Sequence, residues 1–375
     1  MQIRYLTAGE SHGKALVSII EGIPKGLKLD VAFIDKELTR RMKGFGRGKR
    51  MRIEKDKIEI LSGVRLGRTL GSPITLLIKN RDFKIETLPS ISSPRPGHAD
   101  LAGALKFGEP DIRNILERAS ARETASRVAT GALVKTLLRE FGIDFLSHVI
   151  MIGPVKSEKV FPFAKMKLLA EKSPVRCVDK DATQLMCQAI EEARLDGDTL
   201  GGIFEVIARG VPVGLGSYTQ WDRRLDGNLA RAIMAIPGIK GVEIGRGFSL
   251  ALERGSVVHD EIFFDKRLKK FFRKRNNAGG IEGGITNGED IVLRAAMKPI
   301  ATLLRPLGSV NIKTKRKSKA QVERADVCVV PSSGVIAESV SAIEIARAMG
   351  EKFGGDSLTE MKRNYGSYIK QLRRM

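Results

Sequence analysis

The sequence predicts an α+β chain in which strands and helices intermix, folded as one composite domain over residues 1–375. Three observations predict it. Apolar residues alternate at the start of the chain, whereas later segments space them three or four apart. A short block near the N-terminus recurs in the second half. No Pro/Ser/Gly-rich linker divides the two halves.

The elements follow in order. Ile3 to Ala8 alternates and reads as a strand, and the β-branched run Lys14 to Glu21 reads as its hairpin partner across the Gly9–Gly13 turn. Asp30 can N-cap a helix carrying Ile34, Leu38 and Met42, which Gly44 ends. Strands are expected around 58–64 and 74–78, a helix over 99–107, and a longer helix over 117–141. Ala, Ser and Thr crowd that last segment, which suggests close packing at the centre of the fold. Residues 153–180 read as a lysine-rich connection, 181–196 as a helix and 203–209 as a strand. Asp226 can cap a helix through Ile236. Strands fit 241–244, 248–252, 290–295 and the apolar run Val327–Val330. Helices fit 333–349 and 356–372.

The recurring block pairs Glu21-Gly22-Ile23-Pro24-Lys25-Gly26-Leu27 with Arg209-Gly210-Val211-Pro212-Val213-Gly214-Leu215. A strand precedes each, and an Asp-x-x-Leu-x-Arg helix follows, Asp35–Arg40 and Asp226–Arg231. This reads as a duplicated unit, roughly 1–150 and 200–375, with chance similarity as the alternative.

Net charge is +22, with only 5% aromatic residues. Basic charge can neutralise nucleic-acid phosphates, steer a small anion into a pocket, or simply coat a solvated surface. Sparse aromatics leave little for base stacking. No apolar run approaches the roughly 20 residues needed to span a bilayer, and the start of the chain has no signal-peptide pattern. Three cysteines, widely spaced, argue against a disulfide framework or a zinc site and for a reducing cytoplasm.

Of four histidines, two sit in glycine-flanked turns: Gly9-Glu10-Ser11-His12-Gly13 and Arg95-Pro96-Gly97-His98-Ala99-Asp100. Histidine exchanges protons near neutral pH, and glycine lets a ligand approach closely. The first turn matches G-x-S-x-G, but a strand follows it where a nucleophile elbow needs a helix. His148 and His259 lack such neighbours and read as structural. Arg40, Arg41, Arg47, Arg50 and Arg52 crowd one helix end and loop. Dipole complementation would account for the first two, and an oxyanion site for the cluster. Arg118 to Thr124 offers hydroxyls and N–H groups at a helix start, suited to phosphate or to ordinary capping. Residues 276–288 hold five glycines, which reads as a lid or planar-ligand contact, or as a disordered loop. The basic runs Lys266–Arg275 and Lys313–Lys319 read as solvated faces.

Taken together, these segments resemble the chorismate synthase family, with Ile60–Gly63, Gly71–Ile74, Lys240–Gly245, Lys298-Pro299 and Arg324–Asp326 extending the match along nearly the whole chain. The resemblance implies a β-α-β sandwich of two antiparallel sheets enclosing helices, from a duplicated unit. It implies elimination of phosphate from 5-enolpyruvylshikimate 3-phosphate, giving chorismate, in the shikimate pathway of aromatic amino acid biosynthesis. Reduced FMN would be the cofactor, supplied by a separate flavin reductase, with NADPH associated with that supply. His12 looks like the proton donor to the departing phosphate, His98 like the group that keeps the flavin correctly protonated, and Asp326 like the carboxylate that helps the flavin N5 act as a base. Ser11, Arg41, Arg47, Arg95 and Arg324 look like substrate contacts. Arg118, Ala119, Ser120, Pro237, Gly238, Gly283, Lys298, Pro299, Ile300, Ala301, Thr302 and Arg324 look like cofactor contacts, although Ala119 offers no hydroxyl. No metal is implied. A cytoplasmic homotetramer is expected, with no specific nucleic-acid or membrane partner.

Overall fold

A computed structural model describes residues 3–48, 53–323 and 326–375. The expected N-terminal hairpin is present: β1 (Arg4–Ala8) pairs antiparallel with β2 (Ala15–Glu21). Asp30 caps α1 (Val31–Met42) by accepting the Phe33 N–H at 2.9 Å. β3 (Glu59–Ser62) and β4 (Ile74–Lys79) complete a four-stranded antiparallel sheet of order β1-β2-β4-β3.

Helix α2 (Asp100–Phe107) lies where expected. The long helix anticipated over 117–141 is instead divided into α3 (Ile112–Ala119), a 3-10 turn and α4 (Thr124–Arg139). Ser120 adopts an extended conformation at the break. The break lets the Arg122 guanidinium turn inward to Asn80 at 2.8 Å and Asp56 at 2.7 Å. A buried strand unread in the sequence follows, β5 (Asp144–Ile152), with a short partner β6 (Val155–Lys156). The lysine-rich connection holds its own helix, α5 (Phe163–Lys172), before α6 (Lys180–Leu195). Phe163 and Met166 cover Leu146 of β5, which explains why that connection folds.

β7 (Gly202–Arg209) leads to α7 (Leu225–Met234), whose N-cap position is Arg224 rather than Asp226 and carries no side-chain cap. Asp226 sits in the first helical turn and binds Arg224 at 3.1 Å. β8 (Ile239–Ile244) follows, but 248–252 is a 3-10 segment and not a strand. Gly247 takes a positive φ there, and the Phe248 N–H turns back onto the Glu243 carboxylate at 3.0 Å. β9 (Ile291–Met297) completes a five-stranded antiparallel sheet of order β8-β9-β7-β5-β6. Val327–Val330 contributes only one parallel bridge, Leu200 to Cys328. Helix α8 (Val330–Phe353) begins at once, with proline in its first turn, and α9 (Leu358–Leu372) closes the chain.

Helix α4 packs on β1, β2 and β4, helix α8 packs on β5 and β7, and the two helices pack on each other. Gly131 of α4 lies so close to the Ser339 backbone of α8 that a Cβ would collide. The small residues noted in the sequence thus serve close helix packing.

The two recurring blocks adopt matching turns. Thr69 Oγ1 donates to the Pro24 carbonyl at 2.6 Å and accepts the Leu27 N–H at 3.0 Å. Thr286 Oγ1 donates to the Pro212 carbonyl at 2.6 Å and accepts the Leu215 N–H at 2.8 Å. Each turn uses left-handed glycines, Gly22 and Gly26 in one and Gly210 and Gly214 in the other. No helix among the described residues is long and apolar enough to cross a membrane.

Candidate active site

The Gly9–Gly13 turn leaves β1 and is latched to the end of α3. Ser11 N–H donates to the Glu117 carbonyl at 2.9 Å. The Glu117 side chain accepts the His12 N–H at 2.7 Å and lies 3.0 Å from the ring Nδ1. On the other side of the ring, Nε2 is 3.5 Å from Asp82. Asn80 gathers the turn from beneath, donating to the carbonyls of Glu10, Ser11 and Gly13 at 3.1, 3.3 and 2.8 Å. Burial pushes the Glu117 carboxyl up, but the hydrogen bonds from the His12 ring and N–H outweigh it and hold the group below its ordinary range.

From Asn80 the polar network runs inward through Arg122 and Asp56 to Arg41 at 3.6 Å. Arg41 is fixed by Nε to Thr124 at 3.0 Å and Nη2 to the Ala121 carbonyl at 2.9 Å. Its Nη1 is buried and has no hydrogen-bond partner. Burial, with Arg122 and Arg47 nearby and Asp56 opposing them, brings this guanidinium down to about 9. A buried N–H group without a partner is costly, and here it belongs to a cation close to two others.

Arg47 reaches Asp326 at 2.9 Å and Ser332 at 3.2 Å, and Gly48 N–H donates to Asp326 at 2.5 Å. Arg40 departs from the expected cluster. It points into the interior, toward Glu37 and Glu338, because adjacent helical residues face different sides. Arg50, Arg52 and Arg324 lie outside the described residues.

A second group forms around His98. Asp100 accepts from the His98 ring at 2.5 Å and from the Arg95 Nε at 2.8 Å. Burial alone would raise the Asp100 carboxyl, yet the hydrogen bonds from His98 and Arg95 carry it far below the ordinary range. Arg95 is engaged here and also reaches Thr302 at 2.7 Å. Lys298 Nζ donates to the Gly97 carbonyl at 2.5 Å, so the expected 298–302 segment braces the His98 turn. Ile300 is tied to Thr199 at 2.8 Å, and Lys298 N–H to the Gly238 carbonyl at 3.0 Å, which brings Pro237 and Gly238 alongside. Pro299 follows β9 against Gly201, and Ala301 approaches Gly97. Lys298 is held below its ordinary range by burial and then by Lys240.

The remaining expected contacts are more dispersed. Arg118 is exposed and donates to the carbonyls of Gly9 at 2.8 Å and Thr7 at 3.0 Å, while Ser120 caps the following turn. Ala119 ends α3 between them. The glycine-rich segment is an ordered hairpin: Gly279 and Gly280 are pressed against the backbone of Gly245 and Asp290, a structural demand. Gly283 alone is open, with nothing near the position of a Cβ. His148 pairs with Glu205 at 3.0 Å inside the five-stranded sheet, in keeping with a structural role. A cavity of about 80 Å³ opens elsewhere, beside Phe33, Lys36, Arg139 and Lys167, over the buried ions of Arg40 and Lys135. Those buried cations are hydrogen-bonded to carboxylates, unlike the Nη1 of Arg41, which has no hydrogen bond.

Sequence reasoning missed Glu117, Asn80, Asp56 and Asp82. None had a local signal; each acts through a contact tens of residues away or more.

A chorismate synthase family model matches residues 3–349. The chain is 53% identical over 384 residues to a chorismate synthase of Desulforudis audaxviator, covering 99% of this chain and 98% of that one. It is 54% identical over 390 residues to one of Geobacter sulfurreducens, with 99% of each covered. A crystal structure of chorismate synthase superposes with a TM-score of 0.83 at 43% identity, over 100% of this chain and 99% of that one. The chain therefore belongs to the chorismate synthase family and is a carbon–oxygen lyase acting on phosphates.

Proposed function

We propose that the chain converts 5-enolpyruvylshikimate 3-phosphate to chorismate and phosphate by a 1,4-anti elimination, with reduced FMN as cofactor and no net redox change. The observation that carries this reading is the buried Nη1 of Arg41, which has no hydrogen bond and only a long ion pair to Asp56 at 3.6 Å, beside Arg122 and Arg47 and linked through Asp56 and Asn80 to the His12 turn. A cation held in that state favours an anionic substrate. His12 donates the proton that the departing phosphate takes up. Ser11, Arg41, Arg47 and Arg95 hold the substrate, and Asp326 presents its carboxylate from the grip of Arg47 and Gly48.

The residues fit FMN. Lys298 and Lys240 are close enough to lower the Lys298 ammonium, an electropositive spot suited to a phosphate, and Gly238 and Gly97 carry no side chain beside it. Arg118, Ala119, Ser120, Pro237, Gly238, Gly283 and 298–302 would hold the cofactor. When bound, reduced FMN supplies electron density that weakens the C–O bond to phosphate. His98, fixed by donating its Nδ1–H to Asp100, would keep the cofactor correctly protonated.

The wider reading is a cytoplasmic homotetramer fed by a separate flavin reductase, in the shikimate pathway. The fold is proposed as a β-α-β sandwich from a duplicated unit. The matching Thr69 and Thr286 turns support it, as does the equivalence of β1-β2-β4-β3 with β5-β7-β9-β8.

The test is an anaerobic assay with chemically reduced FMN, following chorismate absorbance and phosphate release. Turnover by the wild type, falling sharply in His12→Ala and His98→Ala, is expected. A folded chain that releases no phosphate would overturn the reading.

A further inference from the structure

We infer that Glu117 is a positioning residue for His12: it holds the Nδ1 proton, leaving Nε2 as the one ring atom from which a proton departs. The inference rests on the reading of His12 as proton donor. Glu117 takes three contacts from one residue, the His12 N–H at 2.7 Å and Nδ1 at 3.0 Å from each carboxylate oxygen. Its side chain is 1% exposed, so water does not compete for those oxygens. The bond from Ser11 N–H to the Glu117 carbonyl also fixes the turn against the same residue. Ring position and ring proton are therefore set together.

Which imidazole nitrogen carries a proton follows from the partner of the other. A buried carboxylate accepts only, so Nδ1 must be the donor toward it. Nε2 then faces the opposite side, toward Asp82 at 3.5 Å. Among the described residues, Glu117 and Asp82 flank the ring, and each has a cation beside it. Glu117 and Arg113 (3.7 Å from the Glu117 carboxylate) come from α3. Asp82 and Lys84, paired at 2.9 Å, come from the segment after β4. With Nδ1 committed to Glu117, Nε2 is the ring atom free to exchange a proton while Nδ1 keeps its own. The Glu117 side chain is shielded from water, so it offers the Nδ1 proton no route to solvent.

The variants are Glu117→Gln, which keeps the shape without the charge, and Glu117→Asp, which keeps the charge one methylene away. Two readouts are taken on the full chain: pH profiles of kcat and KM with reduced FMN, and ¹⁵N NMR of labelled histidine, with His12 assigned by His12→Gln. Glu117→Gln should lose roughly tenfold to hundredfold in kcat, within the range of general acid catalysis. KM should stay within about twofold. The Nδ1 resonance should lose its protonated signature, and Glu117→Asp should recover part of it and part of kcat. If Glu117→Gln fails to fold, the same readouts on Glu117→Asp decide. A folded variant with the wild-type profile and an unchanged Nδ1 resonance would overturn the inference. So would a wild-type ring bare at Nδ1. If the wild type shows no turnover, the proposed function fails, and the Nδ1 resonance still decides the role of Glu117.

Discussion

Arg40 and Glu338, 298 residues apart in the chain, meet through a two-pronged ion pair at 2.9 and 2.8 Å in the interior. Lys135 joins them, donating to Glu338 and Glu37 at 2.6 Å each, and Ser147 donates to Glu338 at 2.6 Å. The cluster ties α1, α4, α8 and β5 together. Removing one partner of a buried pair strands the others, at a cost of about 3–5 kcal/mol. Glu338→Ala should therefore lower the Tm strongly, whereas loss of an exposed pair such as Lys156–Glu158 should barely move it. Thermal unfolding of Glu338→Ala beside Glu158→Ala tests this, and equal losses would contradict it.

Burial pushes the Glu338 carboxyl up, but Arg40 and Lys135 hold it well below the ordinary range. Asp100 and Glu117 are depressed too, in each case because hydrogen bonds overcome burial. A carboxyl with a lower value folded than unfolded leaves the unfolded chain binding more protons, so stability rises with pH. That stability is complete above the unfolded carboxylate range, near 4, and is lost as pH falls through the folded values. The Tm should be flat from pH 7 to about 5 and fall steeply below about 4. Glu338→Gln should have a lower Tm at neutral pH and a shallower acid slope. An unchanged slope would assign acid unfolding to other groups.

Arg41 is held by two hydrogen bonds that orient its fork, with Nη1 left over. Lysine offers a point charge and no fork. Arg41→Lys should thus weaken substrate binding almost as much as Arg41→Ala, by roughly 10- to 100-fold, the worth of a hydrogen bond to a charged group. Titration calorimetry with 5-enolpyruvylshikimate 3-phosphate reads this. Full affinity in Arg41→Lys would mean that charge alone matters.

Lys298 has two claims on it: the Gly97 carbonyl and the proposed FMN phosphate. Lys298→Met keeps most of the stem and removes both. Flavin titration should show weaker FMN binding by roughly tenfold or more, since charge-assisted hydrogen bonds are the strong ones. Unaltered FMN affinity would reduce Lys298 to a brace for the His98 turn.

Much of this could be read locally. Asp30 announces its helix by capping chemistry, and the β1–β2 hairpin by alternation around a glycine turn. β5 could not be read so easily. It is covered by α8 on one side and α5 on another, so it is buried along most of its length, Ser147 and His148 included, and loses the alternation of a half-buried strand. The break at Ser120 was hidden because it serves Arg122, whose partners Asn80 and Asp56 lie 42 and 66 residues away. Glycine-flanked His12 and His98 stood out in the sequence, yet the carboxylate held against His12 did not. Glu117 reads as an ordinary helix-surface residue until the fold brings it across 105 positions to the ring.

The Thr69 and Thr286 turns provide a symmetric test of the proposed duplication. Each hydroxyl serves one proline carbonyl and one leucine N–H, both within a turn that returns from a strand end. Each threonine is also nearly inaccessible, at 2% and 1% exposure, so water cannot replace the lost bonds. Valine has a similar outline but no hydroxyl. It would leave a buried N–H and a carbonyl each short of a partner, at about 1–3 kcal/mol. Thr69→Val and Thr286→Val should therefore cost similar amounts in denaturant unfolding. Since the sites lie in different sheets, the double variant should show the sum within about 0.5 kcal/mol. A large loss at one turn and none at the other would mean that the two blocks share a shape without sharing a structural role.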